Sequence, residues 1–329
     1  MKVLITGGAG YIGSHAVREF RDAGHQVVVL DDLSQGHRAS VPASVRFVEG
    51  DVGDRATLRE GLAGVECVVH FAAVLNVGES VGQPLKYWRI NLGKGVTLLD
   101  AMVEAGIRKI VFSSTCATYG VPVRVPIEES HPQEPINPYG QSKRAFERAL
   151  KDLADAGVLR AVALRYFNAS GCHPDGGLGE DHRPEIHLVP LAIDAALGRR
   201  PPLTVFGDDY DTPDGTCIRD YIHVQDLARA HVSALDALDS GEAFRSFNLG
   251  TETGHSVREV VAAVGRVAGT PVPFTIGPRR PGDPPRLVAS AAKIRNELGF
   301  RARHAGLEGI VETALRWRKD HPNGYGSRS

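Results

Sequence analysis

Thr6-Gly7-Gly8-Ala9-Gly10-Tyr11-Ile12-Gly13-Ser14 is the stretch on which the reading of this chain turns. It satisfies both G-x-x-G-x-x-G (Gly7, Gly10, Gly13) and G-x-G-x-x-G (Gly8, Gly10, Gly13). The apolar run before it, Lys2–Thr6, reads as a buried strand, and the run after it, around Ser14–Ala23, has the apolar period of a helix. A strand-to-helix turn made of glycines lets backbone approach a pyrophosphate, and the following helix aims its free N–H groups and positive dipole end at the phosphates. The next apolar run, Gln26–Asp31, ends on Asp31-Asp32, where a carboxylate can accept hydrogen bonds from the adenosine ribose hydroxyls. The same charge repels a 2′-phosphate, which points to NAD in preference to NADP. Asp51 and Val52, at the end of the third strand, are placed to meet the adenine.

Working outward, Val45–Val48, Val65–Phe71, Lys109–Ser113 and Ala161–Tyr166 are further Val/Ile-rich runs suited to a parallel sheet covered on both faces. Helical periods lie between them at Thr57–Leu62, Tyr87–Glu104 and Ser142–Ala156. The alternation predicts an α/β fold with a Rossmann-type doubly wound parallel sheet. After about Ser170 glycine and proline become frequent, and the apolar segments His187–Leu197, Tyr221–Leu238, Val257–Val267 and Leu307–Trp317 are mostly helical in period. The expected division is a dinucleotide-binding domain over 1–169 and a smaller C-terminal substrate-binding domain over 170–329, with segments near 220–250 returning to the first. The polar tail Pro322–Ser329 is expected to fray.

Composition narrows the class. The chain has 329 residues, 42% hydrophobic and 23% charged, and its 39 acidic and 38 basic residues nearly cancel. No basic excess marks a nucleic-acid or membrane-surface protein. Cys67, Cys116, Cys172 and Cys217 are far apart, with no C-x-x-C pair, so neither a disulfide framework nor a metal site is expected. No apolar run approaches the ~20 residues of a membrane helix, and the first is too short for a signal peptide. A reduced, cytoplasmic protein is the expectation.

Two further stretches carry chemistry. In Tyr139-Gly140-Gln141-Ser142-Lys143 the phenol and the ammonium are four residues apart, on one face of a helix. A nearby cation favours the phenolate and makes the tyrosine a usable base. Ser113-Ser114-Thr115 lie at the end of the fifth strand, Lys109–Ser113, and ligands of open α/β sheets bind at such carboxyl ends. A hydroxyl residue there can orient a substrate hydroxyl and relay its proton.

The glycine turn, the Ser113–Thr115 hydroxyls and Tyr139–Lys143 resemble the extended short-chain dehydrogenase/reductase family. His70-Phe71-Ala72-Ala73, Val77–Ser80, Leu164–Asn168, Gly179-Glu180-Asp181, Asp214–Val224, Phe247–Gly250 and Arg280-Pro281-Gly282-Asp283 narrow the resemblance to its UDP-glucose 4-epimerases, from Met1 to about Tyr325. The resemblance implies interconversion of UDP-glucose and UDP-galactose with a retained NAD. Tyr139 would take the proton of the sugar 4-hydroxyl while C4 gives hydride to the nicotinamide, and hydride would return to the other face of the 4-keto sugar. Lys143 would tune Tyr139 and hold the nicotinamide ribose, and Thr115 would hydrogen-bond the 4-oxygen. Phe71, Ala72, Ala73, Asn91 and Phe167 would join the turn residues, Tyr139 and Lys143 around the cofactor.

For the nucleotide, the resemblance implies Arg219, Arg280 and Asn168 at the diphosphate, Asp283 at the uridine ribose and Thr204, Val205 and Phe206 at the uracil, with His187 and Leu188 nearby. No metal is implied, and relatives pair as homodimers through helices near Tyr87–Glu104 and Ser142–Ala156. The chain departs from the family pattern at Leu75, where many members have Lys, at Ile90 before Asn91, and at His187, which replaces an Asn. Leu287 stands where some members have a bulky Tyr, so N-acetylated UDP-hexosamines are a further expected substrate. UDP-glucuronate or UDP-pentose epimerases and a non-catalytic NAD-binding sensor are the alternatives. A 4,6-dehydratase would need an acid–base pair after Thr115, where this chain has Cys116-Ala117.

Overall fold

A computed structural model describes residues 1–280, 283–304 and 306–326. Pro281 and Gly282 of the Arg280–Asp283 stretch, and the last three residues of the tail, lie outside the described residues. The strands are β1 (Lys2–Thr6), β2 (Gln26–Asp31), β3 (Arg46–Glu49), β4 (Cys67–His70), β5 (Lys109–Thr115), β6 (Arg160–Tyr166), β7 (Asn168–Ser170), β8 (Leu203–Phe206), β9 (Ile218–His223), β10 (Phe244–Leu249), β11 (Gly254–Ser256), β12 (Phe274–Gly277) and β13 (Arg286–Leu287). Seven of them form one parallel sheet in the order β10-β6-β5-β4-β1-β2-β3. The order reverses between β1 and β4, and that switch is where such sheets open a crevice.

The helices are α1 (Tyr11–Asp22), α2 (Arg55–Gly61), α3 (Val77–Gly82), α4 (Pro84–Tyr87), α5 (Gly95–Glu104), α6 (Pro138–Asp155), α7 (Leu188–Ala196), α8 (Val224–Asp239), α9 (Val257–Ala268), α10 (Ala292–Leu298) and α11 (Leu307–Asp320). Strand alternation sorts the core into two layers. Val3 and Ile5 of β1 pack with Phe20 of α1 and Leu227 of α8 on one face, while Leu4 packs with Leu98 and Met102 of α5 and Phe146 of α6 on the other. A third apolar cluster belongs to the second half, where Val189, Val260, Val264 and Trp317 join α7, α9 and α11. The chain returns to the first sheet twice after residue 220, with α8 packed on α1 and β10 paired with β6.

Three elements differ from the sequence reading. Strand β5 runs through Ser114 and Thr115, because these polar residues pair in register with Arg165 and Tyr166 of β6. The period over Tyr87–Glu104 is not one α-helix: Trp88–Lys94 is a π-helical turn before α5, a distortion frequent at functional sites. The tail is docked as far as Gly326, with the Tyr325 ring 5.4 Å from Trp317 and 5.1 Å from His37, and the Tyr325 hydroxyl accepting from Gly179 N at 2.9 Å.

Beneath the sheet's carboxyl edge lies a buried ion pair. Arg165 of β6 and Glu147 of α6, 5% and 4% exposed, meet at 2.7 Å. Glu147 also accepts from Ser114 Oγ and, at 3.1 Å, from Gln133 Nε2. Removing one partner of such a pair strands the other charge. Glu147→Ala is therefore expected to destabilise the protein by about 3–5 kcal/mol, read as a lowered denaturation midpoint, and a loss below about 1 kcal/mol would contradict this account of the pair.

Candidate active site

The glycine turn has the geometry that its motif requires. Gly7 takes φ +71°, and a Cβ there would lie 2.6 Å from the Ala72 nitrogen at the end of β4. At Gly13 a Cβ would sit 2.0 Å from the Gly7 carbonyl oxygen, so only glycine lets α1 start this close to the turn. Gly10 is the N-cap of α1, and no side chain caps it. The first-turn N–H groups therefore have no side-chain acceptor among the described residues, which fits a pyrophosphate.

Asp31 is 6% exposed and accepts from Ala9 N and Leu33 N, both at 2.9 Å. Burial raises its pKa above the ordinary carboxylate value. The carboxylate thus braces the turn from below, and each oxygen keeps a lone pair for a ribose hydroxyl. Asp51 accepts from Gly53 N at 2.7 Å and pairs with Lys94 of the π turn, while the Val52 side chain is buried in the core. The Tyr11 ring turns towards the second half, its hydroxyl donating to Gly171 O at 2.5 Å, and Ile12 packs against the core below the turn. Phe71 follows β4, its ring tilted against that of His231 at 4.6 Å, and Ala72 and Ala73 after it are half-buried.

Asn91, expected at the cofactor, is buried and held by three hydrogen bonds. Both of its amide hydrogens are committed, to Val74 O at 3.0 Å and Ser142 Oγ at 3.1 Å, and its oxygen accepts from Val74 N at 2.9 Å. It pins the Val74 loop to α6. Leu75, one residue on, is 42% exposed, and Ile90 is half-buried beside Asn91.

Helix α6 carries the predicted pair. Asn137 caps it by accepting from Gly140 N at 2.8 Å, and Pro138 supplies a first-turn residue that lacks an N–H anyway. Tyr139 follows at once, half-buried, 6.4 Å edge-on from Tyr87. Lys143, 4% exposed, donates to Ser113 O at 2.9 Å and lies 4.9 Å from the Phe112 ring centre. Burial lowers its pKa to about 7. Thr115, whose hydroxyl accepts from Ala117 N at 3.1 Å, stands against the phenol.

Burial, then the Tyr166 phenol, pushes the Tyr139 pKa well above the ordinary tyrosine value, while Thr115 pulls it down. The ammonium is not among the causes of the shift, and burial disfavours the charged form of both groups. Ser113 Oγ meets the Tyr166 hydroxyl, so the hydroxyl cluster extends to a residue that the sequence reading left unassigned.

The nucleotide-binding candidates gather on a small sheet. β7 and β13 both pair with β9 in parallel, and β11 pairs with it antiparallel. Asn168 Nδ2 donates to Asp220 O at 3.3 Å, Leu287 stands opposite Arg219, and Arg219 pairs with Asp283 at 2.5 Å. Leu287 packs with Tyr119, Ile127, buried Phe167 and Ala289. On the neighbouring β8–β12 pair, the Arg280 guanidinium lies 4.0 Å over the Phe206 ring, Thr204 is exposed, and the Val205 side chain is buried.

His187 and Leu188 stand at the start of α7, and Leu188 packs against the cluster that holds Leu203 and Val205 of β8 and Tyr221 of β9. His187 is the N-cap of α7, and its Nδ1 lies 2.7 Å from Glu180 Oε1 and 3.2 Å from Glu185 Oε1, with Leu188 half-buried after it. Burial works against its charge, but Glu180 and then Glu185 raise its pKa to about 10. The sequence reading missed Glu185 and His182 beside it; the signal was the run Glu180-Asp181-His182-Arg183-Pro184-Glu185-Ile186-His187 itself. A separate surface cavity of about 620 Å³, lined by Asp236, Glu242, Arg245, Lys293 and Glu297 among others, contains none of the candidate residues.

Residues 3–250 match the model of the NAD dependent epimerase/dehydratase family. The chain is 49% identical over 331 residues to the UDP-glucose 4-epimerase of Lacticaseibacillus casei, covering 100% of each. It is similar to the crystal structure of UDP-glucose 4-epimerase from Brucella ovis in complex with NAD, with a TM-score of 0.92, 51% identity and coverage of 95% and 97%. The UDP-glucose 4-epimerase from Bifidobacterium longum in complex with NAD+ and UDP gives a TM-score of 0.94, 40% identity and coverage of 98% and 100%.

The lowered Lys143 pKa has a consequence for stability. The unfolded chain holds that proton up to the ordinary lysine value near 10.5, whereas the cofactor-free folded protein releases it near 7. The unfolded state therefore binds more protons across this window, and stability is lost as pH falls from about 10 to 7. Unfolding curves of the cofactor-free protein should show this loss, and Lys143→Met should flatten it; equal slopes for the two proteins would show that burial leaves the ammonium unperturbed.

Proposed function

The chain belongs to the NAD dependent epimerase/dehydratase family, and from that premise we propose that it interconverts UDP-glucose and UDP-galactose. The observation that carries the reading is the Tyr139 phenol against Thr115 at the carboxyl end of β5, with Lys143 one turn along α6 and anchored on Ser113 O, beside the β1–β4 switch point. Bound NAD supplies the acceptor and donor of the C4 hydride. Gly7, Gly10 and Gly13 bring backbone against its pyrophosphate, and Asp31 takes its ribose hydroxyls. Tyr139 removes the proton of the 4-hydroxyl and gives it back after the sugar has turned over. Thr115 orients the 4-oxygen, and Lys143, anchored on Ser113 O, favours the phenolate and holds the nicotinamide ribose.

Arg219 and Arg280 supply forks for the diphosphate, and Asp283 takes the uridine ribose. Cys116 and Ala117 follow Thr115 and offer no acid–base pair for dehydration. Two copies pair through the Tyr87–Glu104 and Ser142–Ala156 segments: Trp88, Val96 and Val103 of the first are among the exposed large apolar side chains. The four free cysteines suit the reduced cytoplasm.

Purified protein given UDP-galactose without added NAD should yield UDP-glucose from co-purified cofactor. Tyr139→Phe should keep the cofactor and slow turnover by about 10²–10⁴-fold; near-native turnover would remove Tyr139 from the chemistry. Leu287, opposite Arg219 and smaller than Tyr, leaves room for an N-acetyl group. Leu287→Tyr should lower kcat/KM for UDP-N-acetylglucosamine relative to UDP-glucose by roughly 10–200-fold, and an unchanged ratio would show that Leu287 does not gate the sugar.

A further inference from the structure

We infer that Glu180, His182, Glu185 and His187 form a binding site for one divalent transition-metal ion of the zinc class. Two imidazole nitrogens and two carboxylate oxygens, one from each residue, all lie within 4.8 Å of one another. The Nδ1–Oε1 separations are 2.7 Å for His187–Glu180, 3.2 Å for His187–Glu185, 3.3 Å for His182–Glu180 and 3.6 Å for His182–Glu185. Tetrahedral ligands at about 2.0–2.1 Å from zinc stand about 3.3 Å apart, and the four separations straddle that edge length.

Hydrogen bonding accounts for only part of this convergence: His187 Nδ1 meets Glu185 Oε1 at 3.2 Å. Neither Glu180 Oε1 nor His182 Nδ1 has a partner of hydrogen-bond geometry, although both atoms are buried and Glu180 is only 4% exposed. Buried polar atoms left in this state call for an explanation. The two carboxylates bring two negative charges into one space, and a single divalent cation offsets both. Mixed imidazole and carboxylate donors in fourfold number suit Zn²⁺ or Co²⁺, whereas Ca²⁺ takes six to eight oxygens and Mg²⁺ near-octahedral oxygen.

The surroundings hold the donors in place. Glu185 Oε1 accepts from Ile186 N at 2.8 Å and His187 N at 3.0 Å, and Oε2 from Arg318 at 3.1 Å. Arg318 is itself held by Asp194 of α7 at 2.9 Å. Such outer contacts orient ligating groups before the ion arrives. The cluster sits where the chain enters α7, with the His182 ring 6.0 Å edge-on from Tyr11 of the glycine turn. An ion here would clamp the 180–187 run between the two halves as a structural site. Apart from His187 and Glu180, which lies in the Gly179-Glu180-Asp181 stretch, it uses no residue that carries the epimerase reading.

Without an ion, the cluster is balanced by protons on the two imidazoles, and metal titration separates the two states. Chelator-treated full-length protein would be titrated with Co²⁺. The expected result is one equivalent bound with the intense visible absorption of a four-coordinate ion, displaced by an equimolar amount of Zn²⁺, and a thermal midpoint raised by Zn²⁺. Glu180→Gln and His182→Ala, each checked for folding by circular dichroism, should weaken binding by at least about tenfold. Absence of saturable one-equivalent binding, a weak octahedral spectrum alone, or variants that bind as tightly as the parent would overturn the site. If neither variant folds, the spectrum of the parent protein decides by itself.

Discussion

Helix α6 meets strand β5 along a polar seam inside an apolar core, and the chemistry of this molecule depends on that seam being fully paired. Tyr139, Lys143 and Glu147 recur every four residues and so share one face of the helix. Three consecutive residues of β5 answer them, although a strand sends alternate side chains to opposite faces. Ser113 does so with its carbonyl oxygen, which takes the Lys143 ammonium, Ser114 with its hydroxyl on Glu147, and Thr115 with its side chain against the Tyr139 phenol. Arg165 closes the seam from β6. Sliding α6 by a single residue would orphan every one of these buried groups, each at a cost comparable to a lost hydrogen bond or more. The register of the catalytic candidates is thus held by satisfaction of polar groups, on top of the apolar contacts of Phe146 and Leu150.

The same seam couples to the cofactor end of the crevice. Asn91 joins Ser142 of α6 to the Val74 loop, and that loop follows Ala72, whose nitrogen lies against Gly7. Asp31 braces the other side of the turn through Ala9 and Leu33. A pyrophosphate on the N-terminus of α1 would therefore meet a turn that is supported from both flanks, which limits the ordering it must impose on binding.

Much of this could be read before any coordinates. The glycine turn, the six leading strands and the four-residue spacing of Tyr139 and Lys143 are local signals, each carried by one short run of residues. What escaped was set by distant partners. Ser114 and Thr115 look like a turn in isolation and become strand only because Arg165 and Tyr166 pair with them. Tyr325 looks like part of a polar tail until Trp317 and His37 give it a surface to pack on. Asn91 fits a cofactor contact by position, and only the fold shows that its donors are already taken. The convergence of Glu180, His182, Glu185 and His187 is local in sequence. Its geometry depends on a chain bend before α7 that no periodicity encodes.

Arg219 and Asp283 show what such long-range pairing does to a binding site. By resemblance each has its own task, one at the diphosphate and the other at the uridine ribose, yet here they neutralise each other. The contact keeps a half-buried guanidinium from standing unpaired in a low-dielectric setting. On the proposed function it is a resting contact. A nucleotide offers the guanidinium a diphosphate in place of the carboxylate, and it offers the carboxylate ribose hydroxyls in place of the guanidinium. Both exchanges have to occur together, since either one alone would leave a partly buried charge without a partner. A diphosphate without its ribose, or a ribose without its diphosphate, can complete only half of the exchange. On that reading the pair would favour the intact nucleotide through the charge that each fragment would leave behind, a form of selectivity built on penalty as well as attraction.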